Sequence, residues 1–377
     1  MGLPSELPLL FDAGILPERG DTFSSRANEC KKAGADAVCV PAADTESIFF
    51  PEAASNEECT ARTAARVAAA RAAGASATGC ALGPTGLLVP PSGESDFEDI
   101  CAVRRGQVSA VCEANADFLL LDRQTSLADM RAAILAARGT NLPVLACCDL
   151  RDAADRDAQS DFLPALVTLQ AMGAAAVGFR GIPGADLLET VREAFPCASV
   201  PLLLIADAAP DMTPAQYAEA ARPFLDAGVR LVGCGQGATP LHLRALCDQV
   251  KKYGPPEIPE GRGGNIAATE HEVFFLGEDI EFSSPITCST SLSDKLIALE
   301  DERISAALVK VESVDDAVFL GKHGSVARLP IAVLADSATI LEAALRYFQG
   351  RLLVDSRSPV EREVLEPLAS KYGAIIY

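Results

Sequence analysis

Five cysteines lie in or beside short apolar segments, where the strands of a parallel sheet would end: Cys39, Cys80, Cys147, Cys148 and Cys234. Thiolates are soft ligands that bind zinc, and Cys148 and Cys234 with one further thiol would supply a metal site. Cysteine in a strand is more commonly a small buried hydrophobe. We therefore treat Cys148 and Cys234 as weak metal candidates only.

Carboxylates follow many of the same segments, where barrel enzymes place their functional groups. Such a group can act in acid–base chemistry, but it can also cap the next helix. The capping role is favoured for any single one of them, Asp149 and Asp207 in particular. The residues concerned are Asp12, Asp122, Asp149, Asp207, Asp336 and Asp355.

The three histidines show no spacing that indicates a Ser-His-Asp or His-Cys nucleophile. His242 falls in the first turn of a predicted helix, where a structural role is favoured over a catalytic one. His271 lies in a linker and His323 at a helix end. Asp12, Asp122 and His242 are the catalytic candidates.

The elements that must position these residues alternate between Val-, Leu- and Ile-rich segments and alanine-rich amphipathic segments, which is typical of a parallel sheet covered by helices. Glycines such as Gly34, Gly74, Gly173 and Gly228 follow helix candidates and fit left-handed C-caps. Eight such units favour a closed (β/α)8 TIM barrel over a doubly wound open sheet. Its strands are predicted at residues 7–13, 35–41, 75–83, 116–122, 142–149, 174–181, 200–207 and 229–235.

A stretch rich in glycine and proline at residues 254–264 has no periodicity and indicates a domain boundary. We predict a barrel over residues 1–253, a linker over 254–271 and a smaller, incomplete α/β domain over 272–377. Strands of this second domain are predicted at residues 272–277, 306–312, 329–337, 350–356 and 373–377.

The composition excludes several classes of partner. The formal net charge of −20 and the pI of about 4.6 argue against binding to nucleic acid. No apolar segment is long enough to cross a membrane, and the first residues lack the features of an export signal. We expect a cytoplasmic protein whose thiols are reduced.

Four segments carry a family resemblance. Residues 232–246 read Val-Gly-Cys-Gly-Gln-Gly-Ala-Thr-Pro-Leu-His-Leu-Arg-Ala-Leu, and shorter segments read Thr-Pro-Ala-Gln-Tyr at 213–217, Ala-Leu-Gly-Pro-Thr-Gly at 81–86 and Phe-Asp-Ala-Gly at 11–14. Together they resemble the homocysteine S-methyltransferase family, which includes a domain of cobalamin-dependent methionine synthases. The usual family pattern at the first segment is Gly-Gly-Cys-Cys-Gly-Thr-Thr-Pro-x-His-Ile.

Three segments after the linker, at residues 329–337, 342–346 and 350–356, resemble the first half of the folate (pterin) barrel that follows this domain in methionine synthases. The resemblance places Asp336 and Asp355 at pterin-side positions, with Asp355 where the family usually has Asn. Half a barrel would leave an open sheet edge, so we expect folate binding only if a partner covers that edge.

The family chemistry uses three thiolates that hold zinc, which binds the sulfur of homocysteine and lowers its pKa. Methyl-folate or methylcobalamin is the implied methyl donor. The zinc positions fall here on Gly181, after Gly-Phe-Arg, and on Gly235 and Gln236. All three thiolates are therefore missing, and a zinc ion could be held only by relocated cysteines.

The substrate positions have changed as well. Asp122 and Arg123 stand where the family has Glu-Thr, whereas Asp12 is retained from its first strand. The resemblance thus implies Asp12, Asp122 and Arg123 as substrate-binding residues.

The prediction is a divergent homocysteine S-methyltransferase family protein that has lost the zinc-thiolate activity. Two alternatives stay open. One is a non-catalytic protein that binds a small ligand or docks with a methyl-transfer or corrinoid protein, and the other is a different barrel enzyme that uses the acidic residues. Zinc content discriminates the zinc enzyme from the docking protein.

Overall fold

The computed structural model describes residues 9–12, 22–42, 56–150, 161–254 and 262–377. It divides into two compact units. The first lies within residues 1–87, 98–159 and 174–259, and the second within 88–97, 160–173 and 260–377. The second unit therefore includes two short segments from the range predicted as the barrel domain.

Eight parallel strands close into a barrel, because β1 pairs with both β2 and β8. This confirms the predicted (β/α)8 barrel and overturns the open-sheet alternative. The strands are β1 (Leu9–Asp12), β2 (Ala37–Pro41), β3 (Ala77–Leu82), β4 (Phe118–Gln124), β5 (Val144–Asp149), β6 (Ala176–Gly181), β7 (Leu202–Ala206) and β8 (Leu231–Cys234).

Helices alternate with these strands along the chain. Positive φ angles at Gly34, Gly74, Gly173 and Gly228, between 92° and 106°, confirm the predicted left-handed turns after four of them. In the described part of the chain, no helix is long and apolar enough to span a membrane. The helices are α1 (Thr22–Ala33), α2 (Asn56–Ala72), α3 (Phe97–Glu113), α4 (Leu127–Ala137), α5 (Phe162–Ala171), α6 (Ala185–Ala194), α7 (Pro214–Asp226) and α8 (Pro240–Val250).

The inside of the barrel is filled by alternate residues of the strands, since successive side chains point to opposite faces. Leu120, Cys147, Ile205 and Leu231 belong to this inward, apolar set. The same alternation, continued to the C-terminal strand ends, gives five inward residues that we call the mouth residues: Asp122, Asp149, Arg180, Asp207 and Gly235.

The second unit contains an antiparallel hairpin and an open sheet of five parallel strands in chain order. This confirms the predicted incomplete, half-barrel-like α/β unit. Its elements are β9 (Ile266–Ala268), β10 (Val273–Phe275), β11 (Ile286–Thr287), α9 (Leu292–Ala298), β12 (Ala307–Val311), α10 (Val314–His323), β13 (Ile331–Ala335), α11 (Ala338–Tyr347), β14 (Leu353–Val354), α12 (Arg362–Tyr372) and β15 (Ile375–Ile376).

The structure differs from the prediction where elements are shortest. Strand β9 lies inside the range predicted as a linker, of which residues 255–261 fall outside the described part of the chain. Strand β11, of two residues, is likewise absent from the predicted strands.

Candidate functional site

Three of the mouth residues form a buried ion-pair cluster centred on Arg180. Its Nη1 lies 2.6 Å from Oδ2 of Asp122, and its Nε and Nη2 lie 3.0 Å and 2.9 Å from Oδ1 of Asp207. None of the three side chains is more than 8% exposed. We call Arg180, Asp122 and Asp207 the arginine clamp, which ties together the ends of β4, β6 and β7.

The clamp keeps its cation charged. Burial alone lowers the pKa of Arg180, but the charges of Asp122 and Asp207 and their hydrogen bonds outweigh burial and hold this pKa above its ordinary value. Two carboxylates around one guanidinium leave a single net negative charge. A site of that sign favours cations and hydrogen-bond donors over anions.

One oxygen of the clamp lacks a donor. Oδ1 of Asp122 is buried, and no donor in the described part of the chain reaches it. A buried acceptor left in this state costs about 1–3 kcal/mol. Arg123 stands next to it, with Nε 3.5 Å from Oδ2 of Asp122 and a side chain that is 44% exposed. Asp122 is therefore the group best placed to receive a ligand.

An irregularity in β4 sets the directions of these two side chains. The pairing of β4 with β5 shifts between Leu121 and Gln124. Arg123, inside the shift, has a φ of 56°, in the left-handed region that non-glycine residues seldom adopt. Such irregularities re-aim side chains near functional sites. Here a buried Asp122 is followed by an exposed Arg123.

A second buried cation supports the strand that carries Asp122. Arg104 of α3 is fully buried, and its Nε lies 2.6 Å from Oδ1 of Asp129. Its Nη2 donates to the carbonyl of Gly83 and to Oε1 of Gln124, and Gln124 donates to the carbonyl of Asp122. This network has little trace in the sequence, because its only local signal is one arginine among apolar helix positions.

The family's zinc positions do not fit a thiolate site. Gly181, Gly235 and Gln236 carry no thiol, and a Cβ added at Gly235 would lie 2.0 Å from Oδ1 of Asp207 and 3.0 Å from Nη2 of Arg180. The guanidinium thus fills the space beside one expected ligand. In the described ranges, no three His, Cys, Asp or Glu side chains come together in a way that could hold a metal ion.

The cysteines at the strand ends do not all face the inside of the barrel. Cys147 points into the barrel, so strand alternation puts its neighbour Cys148 on the outer face. Cys234 is likewise on the outer face, next to the inward Gly235. Burial, followed by the charge of Asp122, raises the pKa of Cys147 well above its ordinary value, which disfavours the thiolate that a metal needs.

His242 has a structural environment, as the sequence favours. Its Nδ1 accepts the backbone N–H of Thr239 at 3.1 Å, so the hydrogen is on Nε2, which donates to the carbonyl of Met212 at 2.8 Å. The ring also packs edge-on against Tyr217, with 5.3 Å between centroids. Nδ1 is occupied in capping α8 and Nε2 in binding the Met212 carbonyl, which leaves neither available as a catalytic base.

Two acidic candidates of the first unit have different outcomes. Asp207 does not cap a helix, because Thr213 caps α7 while Asp207 accepts from Arg180 and from the backbone N–H of Gln236. Asp12 ends β1, and its side chain lies outside the described part of the structure. Its catalytic or substrate-binding role stays a prediction.

The pterin-side candidates lie at the ends of β13 and β14. Asp336 is 64% exposed and 4.0 Å from Nζ of Lys310. The Asp355 side chain is 2% exposed and accepts from Nε and Nη2 of Arg357 at 2.9 Å and 2.7 Å. Burial raises the pKa of Asp355, but the bonds from Arg357 outweigh burial and leave the pKa below its ordinary value. The carboxylate of Asp355 is therefore already engaged within the chain.

Comparison with known sequences identifies the same family as the motifs. The family model described as Homocysteine S-methyltransferase matches residues 32–250, more than half of the 377 residues. Methionine synthase from Mycobacterium tuberculosis is 23% identical over 320 residues, which cover 73% of this chain and 26% of that protein. Methionine synthase from Mycobacterium leprae is 22% identical over 323 residues, with the same coverage. The chain spans about a quarter of the length of these relatives.

Solved structures show the likeness in fold. The homocysteine methyltransferase MmuM from Escherichia coli, in its apo and metallated forms, has a TM-score of 0.52 and 18% identity to this chain. The match covers 64% of this chain and 95% of that structure.

Proposed function

The chain belongs to the homocysteine S-methyltransferase family, and we propose that its barrel binds a small amino-acid-like ligand at the arginine clamp without activating a thiol through zinc. The observation that carries the proposal is the buried Oδ1 of Asp122, which has no donor among the described residues and lies beside a charged guanidinium. In the proposed function, binding replaces the zinc-thiolate chemistry of the family.

The chemistry of the clamp selects the ligand. A protonated amine would give Asp122 a charge-assisted hydrogen bond, the strongest kind available to a carboxylate, and would neutralise the net charge of the clamp. The exposed guanidinium of Arg123, next along β4, is suited to a carboxylate on the same ligand. An ammonium and a carboxylate close together describe an α-amino acid.

The proposed contacts involve the amine and the carboxylate of the ligand, and none of them activates its sulfur. Thiol activation by zinc needs deprotonated soft ligands, and the three family positions supply none. The methyl donors implied by the family, methyl-folate and methylcobalamin, therefore have no activated acceptor here. A cytoplasmic location, where such ligands and reduced thiols occur, forms part of the proposal.

Calorimetric titration with homocysteine and with homoserine, which carries a hydroxyl in place of the thiol, tests the proposal. We expect the two ligands to bind with affinities within about threefold of each other, since the amine and carboxylate make the contacts. Asp122→Asn is expected to weaken both at least tenfold, about 1.4 kcal/mol, because the charge that holds the amine is removed.

Asp186→Asn is the matched control, because Asp186 is an exposed aspartate in the first turn of α6. It should leave both affinities unchanged. No heat from either ligand at millimolar concentration would remove the proposal. A strong preference for homocysteine, together with methylated product in the presence of a methyl donor, would restore the thiol chemistry.

A further inference from the structure

We infer that the arginine clamp takes the place of the metal ion in this barrel, and that the clamp itself, more than the loss of the thiols, keeps metal out of the mouth. The inference goes beyond the proposed function, because it holds whether or not an amine binds at Asp122. Arg180 is the residue to which we assign the exclusion of metal from the barrel mouth.

The first argument is steric. A side chain at position 235 would start 2.0 Å from Oδ1 of Asp207, closer than real Cβ contacts come. Asp207 cannot simply turn away, since the same Oδ1 accepts from Nη2 of Arg180 at 2.9 Å and from the backbone N–H of Gln236 at 2.6 Å. A cysteine at position 235 therefore requires the clamp to break.

The other two ligand positions are less obstructed. An added Cβ at Gly181 meets the Cδ1 of Leu187 at 2.7 Å, the far end of a flexible side chain that can shift, and the backbone oxygen of Leu150 at 3.1 Å, a tight contact that a shift of a few tenths of an ångström relieves. Position 236 is exposed. The obstruction is thus local to Gly235 and comes from Asp207 and Arg180.

The second argument is electrostatic. A guanidinium does not release its proton under ordinary conditions, so Arg180 stays charged and keeps the position between Asp122 and Asp207 that a metal ion would need. Its two carboxylate partners already use it as their counter-ion.

Restoring the thiols in two backgrounds tests this. One variant is Gly181→Cys/Gly235→Cys/Gln236→Cys, and the other adds Arg180→Asn, which removes the guanidinium. Both would be purified metal-free under reducing conditions and loaded with zinc for elemental analysis, or with cobalt(II) for thiolate charge-transfer absorption. Wild type serves as the zero reference.

We expect no zinc above the wild-type level in the triple variant and about one zinc per chain in the variant that also lacks Arg180. About one zinc in the triple variant would overturn the inference, because Arg180 would then not exclude metal. A folded quadruple variant without zinc would overturn it as well.

A second measurement keeps the inference testable if the cysteine variants fail to fold. Gly235→Ala adds the obstructing Cβ alone, and its effect on Tm can be compared in the wild-type and Arg180→Asn backgrounds. We expect a clearly smaller loss of Tm without Arg180, because Asp207 is then held, among the described residues, only by the backbone N–H of Gln236 and turns away more easily. Equal losses of Tm in the two backgrounds would contradict the inference that Arg180 holds Asp207 in place. Gly106→Ala is the control, since a Cβ there meets nothing within 4 Å.

Discussion

At the scale of single residues, the positive charge at the centre of the clamp belongs to a side chain, Arg180, and not to a metal ion. Arg180 lies within hydrogen-bond distance of Asp122 and Asp207 and stays ionised because both carboxylates hold its proton in place. A side chain cannot offer an open coordination position, so the clamp can orient and neutralise a ligand but cannot activate a sulfur. The titrations of Asp122→Asn test whether the clamp binds a ligand. The cysteine variants at position 235 test whether the clamp excludes a metal ion.

The other buried aspartate of interest, Asp355, gives a prediction about pH. Asp355→Asn should lower the free energy of unfolding at neutral pH by about 1 kcal/mol, because the hydrogen bonds that Arg357, itself 68% exposed, donates to the buried carboxylate become weaker. The folded pKa of Asp355 lies below its ordinary value of 3.8. Its stabilising effect is therefore complete above that value and is lost as the pH falls through the lower folded pKa.

Urea denaturation followed by circular dichroism, from pH 7 down to about pH 2.5, measures this difference. The gap between wild type and Asp355→Asn should close on the acid side. The exposed Asp336 supplies the control, and Asp336→Asn should show no such closing gap. A gap that stays constant with pH would mean that the charge of Asp355 does not stabilise the fold.

Sequence reasoning finds the charged candidates but not how they pair. Asp122 is identified from its place after an apolar segment and from the family pattern. Its bond to Arg180 joins residues 58 apart, and the bond from Arg180 to Asp207 joins residues 27 apart. No local spacing in the sequence predicts such contacts, because they depend on which strand ends the closed barrel brings close together. The helix-cap interpretation of Asp207 is wrong for the same reason.

At the scale of elements, α3 and β4 act together. Arg104 on α3 is joined to β4 through Gln124, while Asp129 at the start of α4 balances its charge. The network holds β4 at the point where its register shifts and where Asp122 and Arg123 diverge. The buried Arg104 thus stabilises the irregular end of β4, which carries Asp122 and Arg123, without being one of the mouth residues.

Replacing this cation should be costly. Arg104→Met is expected to lower the free energy of unfolding by about 3–5 kcal/mol, since it leaves Asp129 buried without its counter-ion. Arg105→Met, at the exposed neighbouring position of the same helix, should change it by less than about 0.5 kcal/mol. Chemical denaturation of the two variants measures both effects.

The paired variant Arg104→Met/Asp129→Leu separates the two contributions. It should recover part of the lost stability, because no unpaired charge then remains in the interior, while the buried N–H and hydroxyl of Thr85 lose the carboxylate that accepts their hydrogen bonds. An effect of Arg104→Met no larger than that of Arg105→Met would show that the network is not needed for the fold.

Elements are predicted from the sequence where they are long and regular. The eight barrel strands are confirmed. Each is an apolar segment followed by a segment of helical period, and in four cases a glycine at positive φ follows that helix. Strands β9 and β11 escape detection, although β10, β14 and β15 are as short and lie within predicted strands. The shift inside β4 is not predictable either, because nothing in the local sequence marks Arg123 for a left-handed conformation.

At the scale of the whole molecule, the chain combines a closed eight-stranded barrel with an open five-stranded sheet. The barrel retains the fold of its family, whereas its mouth residues differ from the zinc-thiolate pattern. Docking with a methyl-transfer or corrinoid protein stays a prediction, as does a role for Asp336 in pterin binding. Fold and family thus follow from the sequence, while the chemistry depends on side chains that only the folded barrel brings together.

The zinc content of the wild-type protein tests the central claim most directly. The chain would be purified under reducing, chelator-free conditions, incubated with zinc, desalted and measured by elemental analysis. We predict far less than one tightly held zinc per chain, because Arg180 already occupies the mouth as the partner of Asp122 and Asp207. About one zinc per chain, lost when Cys148 or Cys234 is replaced by Ser, would contradict the account and restore a metal-dependent methyltransferase.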